Sequence, residues 1–335
     1  MRPRLTFAMS ADKTRFVFSD EAMARLSKDC DILSAQPFED LTTPKARAIL
    51  HETEILVTGW GSPFISRDIV SAAPQLKLIA HAAGTVKYHL DPVVFEAGIM
   101  VTNAVAANAV PVAEFTLAMI ILANKQVFRF RDLYRADPGR TSSYALMDTP
   151  VGSFRRTVGI VGASHIGRSV VGLLEALDVS VLLYDPHVTA GDAICRRAEL
   201  VALDELISRS EVVSLHAPSL PSTRHMIGGR ELALMRDGST LINTARGALI
   251  DEAALIAELN TGRISAILDV TEPEIPEADS PLFRLPNVFL TPHIAGAIGT
   301  ERARLGNLVA DEVERFIAGE PLHHRVHPEL LRQLA

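Results

Sequence analysis

Three separated segments of this chain carry side chains suited to binding oxyanions and moving protons: N-T-A-R-G ending at Gly247, D-V-T-E-P-E ending at Glu274, and T-P-H-I-A-G ending at Gly296. They supply Arg246, the carboxylates Asp269, Glu272 and Glu274, and His293. A guanidinium presents paired donors matched to planar oxygens, and an imidazole exchanges a proton near neutral pH. Singly, each has a plain structural reading. An arginine after a strand is often a surface ion-pair partner, a histidine is often a hydrogen-bonded structural residue, and loops are often acidic because they are solvated. Taken together, and behind a dinucleotide-type turn upstream, the three segments point to a hydride-transfer site.

That turn is V-G-I-V-G-A-S-H-I-G, from Val158 to Gly167, which reads as a strand turning sharply into a helix. A helix N-terminus offers unpaired backbone N–H groups and a partial positive charge, and glycine lets phosphate oxygens approach them. Gly162 and Gly167 occupy the first and last glycine positions, with His165 and Ile166 opening the helix. Ser164 stands where the middle glycine is expected, a departure that either displaces the pyrophosphate slightly or replaces one backbone contact with a hydroxyl. Asp185 ends the next strand, in L-L-Y-D-P, where a carboxylate accepts from ribose hydroxyls and repels the extra phosphate of NADP. The cofactor expected is NAD.

The elements that must hold these groups follow from pattern. With 335 residues, 48% hydrophobic and 22% charged, the chain is long for one domain, so two are expected. A formal charge of -7 argues against an extended basic surface for nucleic acid. Cys30 and Cys195 stand far apart without C-x-x-C spacing, so neither a disulfide framework nor a metal site is indicated, and a reduced cytoplasmic setting is expected. The N-terminal run around Phe7 to Met9 is cut short by Ser10, Asp12 and Lys13 and makes no signal peptide. The longest apolar run, Val110 to Ala123, contains Glu114, falls short of a bilayer span and reads as part of a buried helix over Val112 to Gln126.

Up to Asn103, apolar runs such as Ile55 to Val57 and Leu76 to Ile79 alternate with helical segments, a small α/β unit. Strand-like runs then recur at Val158–Gly162, Val179–Tyr184, Glu211–Leu215, Thr240–Asn243, Ser265–Leu268 and Val288–Leu290, mostly separated by helical or turn segments, which predicts a parallel doubly wound sheet. From Thr300 onward, Leu305, Leu308, Val309, Val313 and Phe316 keep helical spacing, but composition does not say which domain they join.

These motifs, with V-A-E at Val112 to Glu114, L-H-A-P-S-L-P-S-T-R-H from Leu215 to His225 and L-I-N-T-A-R-G from Leu241 to Gly247, resemble the D-isomer-specific 2-hydroxyacid dehydrogenase family, phosphoglycerate dehydrogenases and glyoxylate or hydroxypyruvate reductases among them. The likeness runs from about Leu76 onward. It implies an α/β fold of two Rossmann-like domains with doubly wound parallel sheets and a deep cleft between them. Residues 1–105 with 300–335 would form a discontinuous, flavodoxin-like substrate-binding domain, and residues 106–299 the NAD-binding domain. A cytoplasmic homodimer is implied, acting on a small 2-hydroxy or 2-oxo acid, with no membrane or nucleic acid partner.

Carried over by position, the resemblance makes Arg246 the ligand of the substrate carboxylate and carbonyl oxygen and His293 the proton donor and acceptor. Glu274 would orient His293 and favour its charged form. Ile275 stands where the family usually has proline next to that glutamate. Asp269 resembles the aspartate that contacts the nicotinamide amide, and Pro218 and Thr223 fall in the cofactor-binding segment. The substrate loop departs further: A-A-G-T-V-K-Y-H-L-D from Ala82 to Asp91 matches a G-x-G-x-D-N-type loop at Gly84, with Ala82 at the first glycine and Val86 at the aspartate. Gly84, Thr85, Val86 and Lys87 are the candidate substrate-binding residues there, Lys87 more readily a solvated surface lysine. Trp60, the only tryptophan, either lines the pocket or packs. The sequence thus reads as an NAD-dependent D-2-hydroxyacid dehydrogenase. The alternatives are a formate dehydrogenase of the same fold, which pairs its histidine with glutamine, and a dinucleotide-sensing protein similar to corepressors.

Overall fold

The computed structural model describes residues 2–87 and 89–330. The chain divides into two compact units, one running to Asn108 and resuming at Ala297, the other Ala109–Gly296.

The first unit is built on β1 (Arg4–Ala8), β2 (Asp31–Ile32), β3 (Ile55–Thr58), β4 (Leu78–His81) and β5 (Met100–Asn103), in the order β2-β1-β3-β4-β5. Every pairing is parallel, and the order is the flavodoxin-like one. β3 and β4 are buried along their whole length, as expected of strands covered on both faces. The Phe7 to Met9 run closes β1: Leu5 and Phe7 enter one core cluster and Ala8 the other. The helix Ala303–Ala318 belongs to this unit, with Leu305, Val309 and Val313 packed in the cluster that holds Leu5, Phe7 and Val57. Gly306 makes that packing possible, since a Cβ there would stand 2.0 Å from the Val17 carbonyl oxygen. On the same helix the buried Glu312 carboxylate accepts the backbone N–H groups of His323 and His324 at 3.2 and 3.0 Å, and Arg325 bridges Thr102 of β5.

The second unit holds β6 (Arg156–Val161), β7 (Val179–Tyr184), β8 (Glu199–Leu200), β9 (Val212–Leu215), β10 (Thr240–Asn243), β11 (Ser265–Leu268) and β12 (Val288–Leu290). Their order, β12-β11-β10-β9-β6-β7-β8, steps outward from β6 in one direction, then returns and continues in the other from β9. That reversal is the doubly wound pattern, and ligands of such sheets gather outside the carboxyl ends of the strands. The expectation of parallel α/β sheets in both halves holds. Successive side chains alternate between two cores: Val161, Val213, Leu241 and Leu268 on one face, Ile160, Val212, Ile242 and Ile267 on the other.

Boundaries differ from the sequence reading in places. β6 stops at Val161 because Gly162 takes a φ of 102°. Glu211 lies outside β9, its carboxylate accepting Thr157 N–H at 2.6 Å and Arg236 at 2.8 Å. The long helix runs Val105–Asn124 rather than Val112 to Gln126, accommodates Pro111, and ends before Gln126, which is left-handed. At 20 residues it is long and apolar enough to cross a bilayer by length and composition, a correction to the shorter run read from sequence. Ala113, Met119, Ile120 and Ala123 nonetheless pack against Val158 and Ile160, as a core helix does.

Candidate functional site

Arg246, Asp269 and His293 lie just beyond the carboxyl ends of β10, β11 and β12. The turn after β10 is tied from inside by Asn243, which is fully buried: its Nδ2 donates to the Arg246 carbonyl at 2.8 Å and its Oδ1 accepts the Ala245 N–H at 3.1 Å. Gly247 must lack a side chain, because a Cβ would sit 2.1 Å from the Thr271 carbonyl. The arginine segment therefore lies directly against the acidic loop. Arg246 is exposed, and its Nη1 donates to the Ala245 carbonyl at 2.7 Å.

The acidic loop offered two glutamates, and geometry separates them. Glu274 Oε1 meets His293 Nδ1 in a short hydrogen bond. Glu272 instead accepts from Arg224 at 2.6 Å and stands 3.5 Å from His225, and the Arg224 guanidinium holds its carboxyl below the usual range. With Nδ1 occupied by Glu274, Nε2 is the nitrogen of His293 that has no hydrogen-bond partner among the described residues. Ile275, the residue after Glu274, is 83% exposed.

His293 is held in an unusual backbone conformation, φ 56°, which few non-glycine residues adopt. Asp269 fixes it. This buried carboxylate accepts the Thr291 hydroxyl at 2.6 Å, the Ile294 N–H at 2.8 Å and the Ala295 N–H at 2.8 Å, while its backbone carbonyl takes the His293 N–H at 2.9 Å. The residue expected to face nicotinamide is thus engaged first in shaping the histidine loop. Asn243 and Thr291 escaped the sequence reading, although both stand inside the quoted motifs. Buried polar residues flanking charged ones were the available signal.

The dinucleotide turn has the features a pyrophosphate requires. Gly167 approaches Gly162 so closely that a Cβ would lie 2.0 Å from its carbonyl oxygen, and a Cβ on Gly162 would strike Ala217 N at 2.6 Å. Ser164 caps the helix His165–Leu174, its hydroxyl accepting the Gly167 N–H at 3.3 Å. The serine therefore takes one N–H for itself, while those of His165 and Ile166 keep no acceptor among the described residues. Asp185 Oδ2 accepts Ala163 N–H at 2.7 Å and Oδ1 accepts His187 N–H at 2.8 Å, which fixes the carboxylate and leaves each oxygen a further lone pair. Thr223 braces the neighbouring loop, donating to the Pro218 carbonyl at 2.6 Å and accepting Leu220 N–H at 2.9 Å. His216, wholly buried beside Gly162, hydrogen-bonds Ser214 at 3.0 Å, and burial pushes its pKa down to about 3. These residues fit a dinucleotide.

In the first unit, the loop after β4 is divided in character. Gly84 has open space where a Cβ would stand, so the fold itself does not demand glycine there. The Thr85 hydroxyl accepts the Lys87 N–H at 3.2 Å, and Lys87 is half-buried. Val86 is a core residue, packed in the cluster with Ile65 and Leu90, so only its backbone is available to a ligand. Trp60 packs at the edge of the other cluster with the Arg302 guanidinium 5.3 Å from its ring centre. His81 ends β4, bonded through Nδ1 to Thr58 at 2.9 Å, and burial, reinforced by His89, lowers its pKa to about 3.

Comparison with known proteins bears on the family and the fold. Residues 117–295 match the family model described as D-isomer specific 2-hydroxyacid dehydrogenase, NAD binding domain. A D-3-phosphoglycerate dehydrogenase of Mycobacterium leprae (strain TN) is 34% identical over 261 residues, which cover 76% of this chain and 48% of that protein. This chain thus spans about half the length of the phosphoglycerate dehydrogenases it matches first. A glyoxylate reductase of Korarchaeum cryptofilum (strain OPF8) is 30% identical over 312 residues, 92% of this chain and 93% of that one. Among solved structures, the D-mandelate dehydrogenase of Rhodotorula graminis superposes with a TM-score of 0.80 at 26% identity, covering 98% of each chain. A match across more than half the chain, joined to a relative covered almost end to end, places this protein in the D-isomer specific 2-hydroxyacid dehydrogenase family.

Proposed function

We propose that this protein is an NAD-dependent oxidoreductase interconverting a D-2-hydroxy acid and its 2-oxo acid. The observation that carries the reading is the contact between His293 Nδ1 and Glu274 Oε1, on loops that leave adjacent parallel strands, while the competing Glu272 is bound to Arg224. The dinucleotide supplies the hydride when bound, on the cradle of Gly162, His165, Ile166 and Gly167, with Asp185 favouring NAD over NADP. In the reducing direction His293 Nε2–H donates to the carbonyl oxygen as it gains charge, and in oxidation the neutral nitrogen takes the hydroxyl proton. Glu274 keeps Nδ1 as the inner donor and so keeps Nε2 facing outward. Arg246 holds the substrate carboxylate through its paired N–H groups. Gly84, Thr85 and Lys87 are proposed substrate contacts of the N-terminal unit. A glutamate rather than glutamine on His293 supports this reading over a formate dehydrogenase.

The deciding assay is oxidation of NADH by the purified protein with a panel of 2-oxo acids, NADPH in parallel. Turnover with NADH at higher kcat/KM than with NADPH is expected. Binding of NADH without turnover on any 2-oxo acid would sink the enzymatic reading in favour of a dinucleotide sensor. Arg246→Lys is expected to lose at least about a hundredfold in kcat/KM, because one ammonium does not reproduce a bidentate pair. His293→Ala is expected to bind NADH normally yet turn over slowly. A homodimer is part of the proposal, supported by Tyr134, Tyr144, Met147 and Phe154, which lie close in sequence and leave large apolar side chains exposed. Sedimentation at micromolar protein checks it.

A further inference from the structure

β10, β11 and β12 begin, at the edge of the sheet opposite Arg246 and His293, around a cavity of about 220 Å³. Its walls are apolar: Leu122 and Ala123 from the helix Val105–Asn124, with Ile267, Val288 and Phe289 from the sheet. Phe128 lies on Phe289, their ring centres 4.2 Å apart and their planes within 17°. Two hydroxyl-bearing residues share this surround. Thr240 and Ser265 are register partners in β10 and β11, so their side chains share a face, and both line the cavity. Among the described residues neither hydroxyl has a hydrogen-bond partner in the protein, and both are open to solvent rather than sealed in the core. Arg129 and Arg131 also line the cavity, and no carboxylate does. Arg131 holds the half-exposed Asp132 through two contacts, at 2.8 and 3.0 Å, and Arg129 Nη1 donates to Gln126 Oε1 at 3.3 Å, so each guanidinium keeps N–H donors to spare and the surface ion pair is one that another anion can replace.

Hydrocarbon walls with a few convergent polar groups are the composition of a small-molecule site. Two hydroxyls without a protein partner and two cations lining one cavity select an anion, and the aromatic and branched walls select its body. We propose that this cavity binds a small aryl or branched-alkyl carboxylate, with the carboxylate at Thr240, Ser265 and the two arginines and the apolar body against the Phe289 side. The volume suffices: an engineered cavity of about 150 Å³ already admits benzene. The site is separate from the proposed chemistry, since strands advance roughly 3.3 Å per residue and the two ends of β10 therefore lie roughly 10 Å apart. Its existence does not depend on the reaction proposed at the other edge.

The test is calorimetric titration of the full chain with phenylacetate and with isovalerate, which lack a 2-oxo or 2-hydroxy group, and with phenylacetamide as the uncharged control. One saturable site is expected for at least one acid, with a Kd on the order of 1 mM or tighter. Phenylacetamide should bind about tenfold more weakly, and Thr240→Val and Arg131→Gln should each weaken the acid by about tenfold, the effect of losing one charge-assisted hydrogen bond. Both variants should keep the wild-type melting temperature within about 2 °C, because one is nearly isosteric and the other is at the surface. Arg246→Lys should bind the acid as wild type does. The proposal is overturned if neither acid saturates, if Thr240→Val and Arg131→Gln bind as wild type does, or if the acid is displaced by oxamate and lost in Arg246→Lys, which would seat it at the candidate active site.

Discussion

At the scale of single residues, the working groups are few and their supports specific. Thr291 and Asp269 form a clamp around His293, and the Thr291 hydroxyl is the part most easily removed without altering shape. Thr291→Val is therefore expected to lower kcat roughly 10- to 100-fold, the value of a hydrogen bond to a charged acceptor, with NADH affinity unchanged and activity restored in Thr291→Ser. Steady-state kinetics beside NADH titration checks this; equal loss of NADH binding would mean the clamp shapes the cofactor site instead. The two glutamates of the acidic loop should also part company. Glu274→Gln should cut kcat at least about tenfold, whereas Glu272→Gln, which breaks a largely exposed ion pair with Arg224, should leave kcat within about threefold. Much of this was legible in the sequence. The order of Arg246, Glu274 and His293 in their motifs located the site, but choosing Glu274 over Glu272 needed the partner of each carboxylate, and Arg224 is 48 residues from Glu272. Nothing in local spacing announces such a pairing.

At the scale of elements, close backbone approach decides what sequence can stand where. Gly167 and Gly306 each lie so near a carbonyl oxygen that a Cβ would sit 2.0 Å away. Gly306→Ala should force the helix Ala303–Ala318 off Val17 and cost roughly 1–3 kcal/mol, as overpacking does, seen as a lower urea midpoint with the far-UV signal of the native state retained. The glycine pattern at 162–167 was visible beforehand because its spacing is a recognisable signature. Gly306 was not, since a glycine within an amphipathic helix gives no sign of which neighbour it touches. Strands were read best where apolar runs end at turn residues: β7, β10, β11 and β12 match their expected limits, whereas the two-residue edge strands β2 and β8 bury too little to leave a pattern. Composition likewise gave no assignment for the C-terminal helix, which only the tertiary placement of Leu305, Val309 and Val313 supplies.

At the scale of the molecule, each unit carries one buried histidine among the described residues, His81 in the first and His216 in the second, each held by burial at a pKa of about 3. Unfolded, both return to about 6.5. As pH falls through that value the unfolded chain takes protons that the folded chain refuses, so stability is present above pH 6.5 and is lost progressively down to about pH 3. Each histidine should cost about 2 kcal/mol between pH 7 and pH 5, at about 1.4 kcal/mol per unit below 6.5. Urea melts at the two pH values check this, and identical midpoints would show that these histidines gain their protons without unfolding.

The left-handed backbone at His293 has a consequence for how this chemistry can be altered. Asparagine, aspartate and histidine enter that conformation more readily than other side chains, and bulky or branched ones resist it. The loop thus filters its own replacements before any question of proton transfer arises. A lysine or glutamate installed there as an alternative acid can take this backbone, as Gln126, Arg140 and Arg155 do elsewhere in the chain, but less readily than histidine, and a β-branched residue would strain the turn that Asp269 ties. Redesign of the proton donor in this protein accordingly begins with the loop from Thr291 to Gly296, not with the side chain.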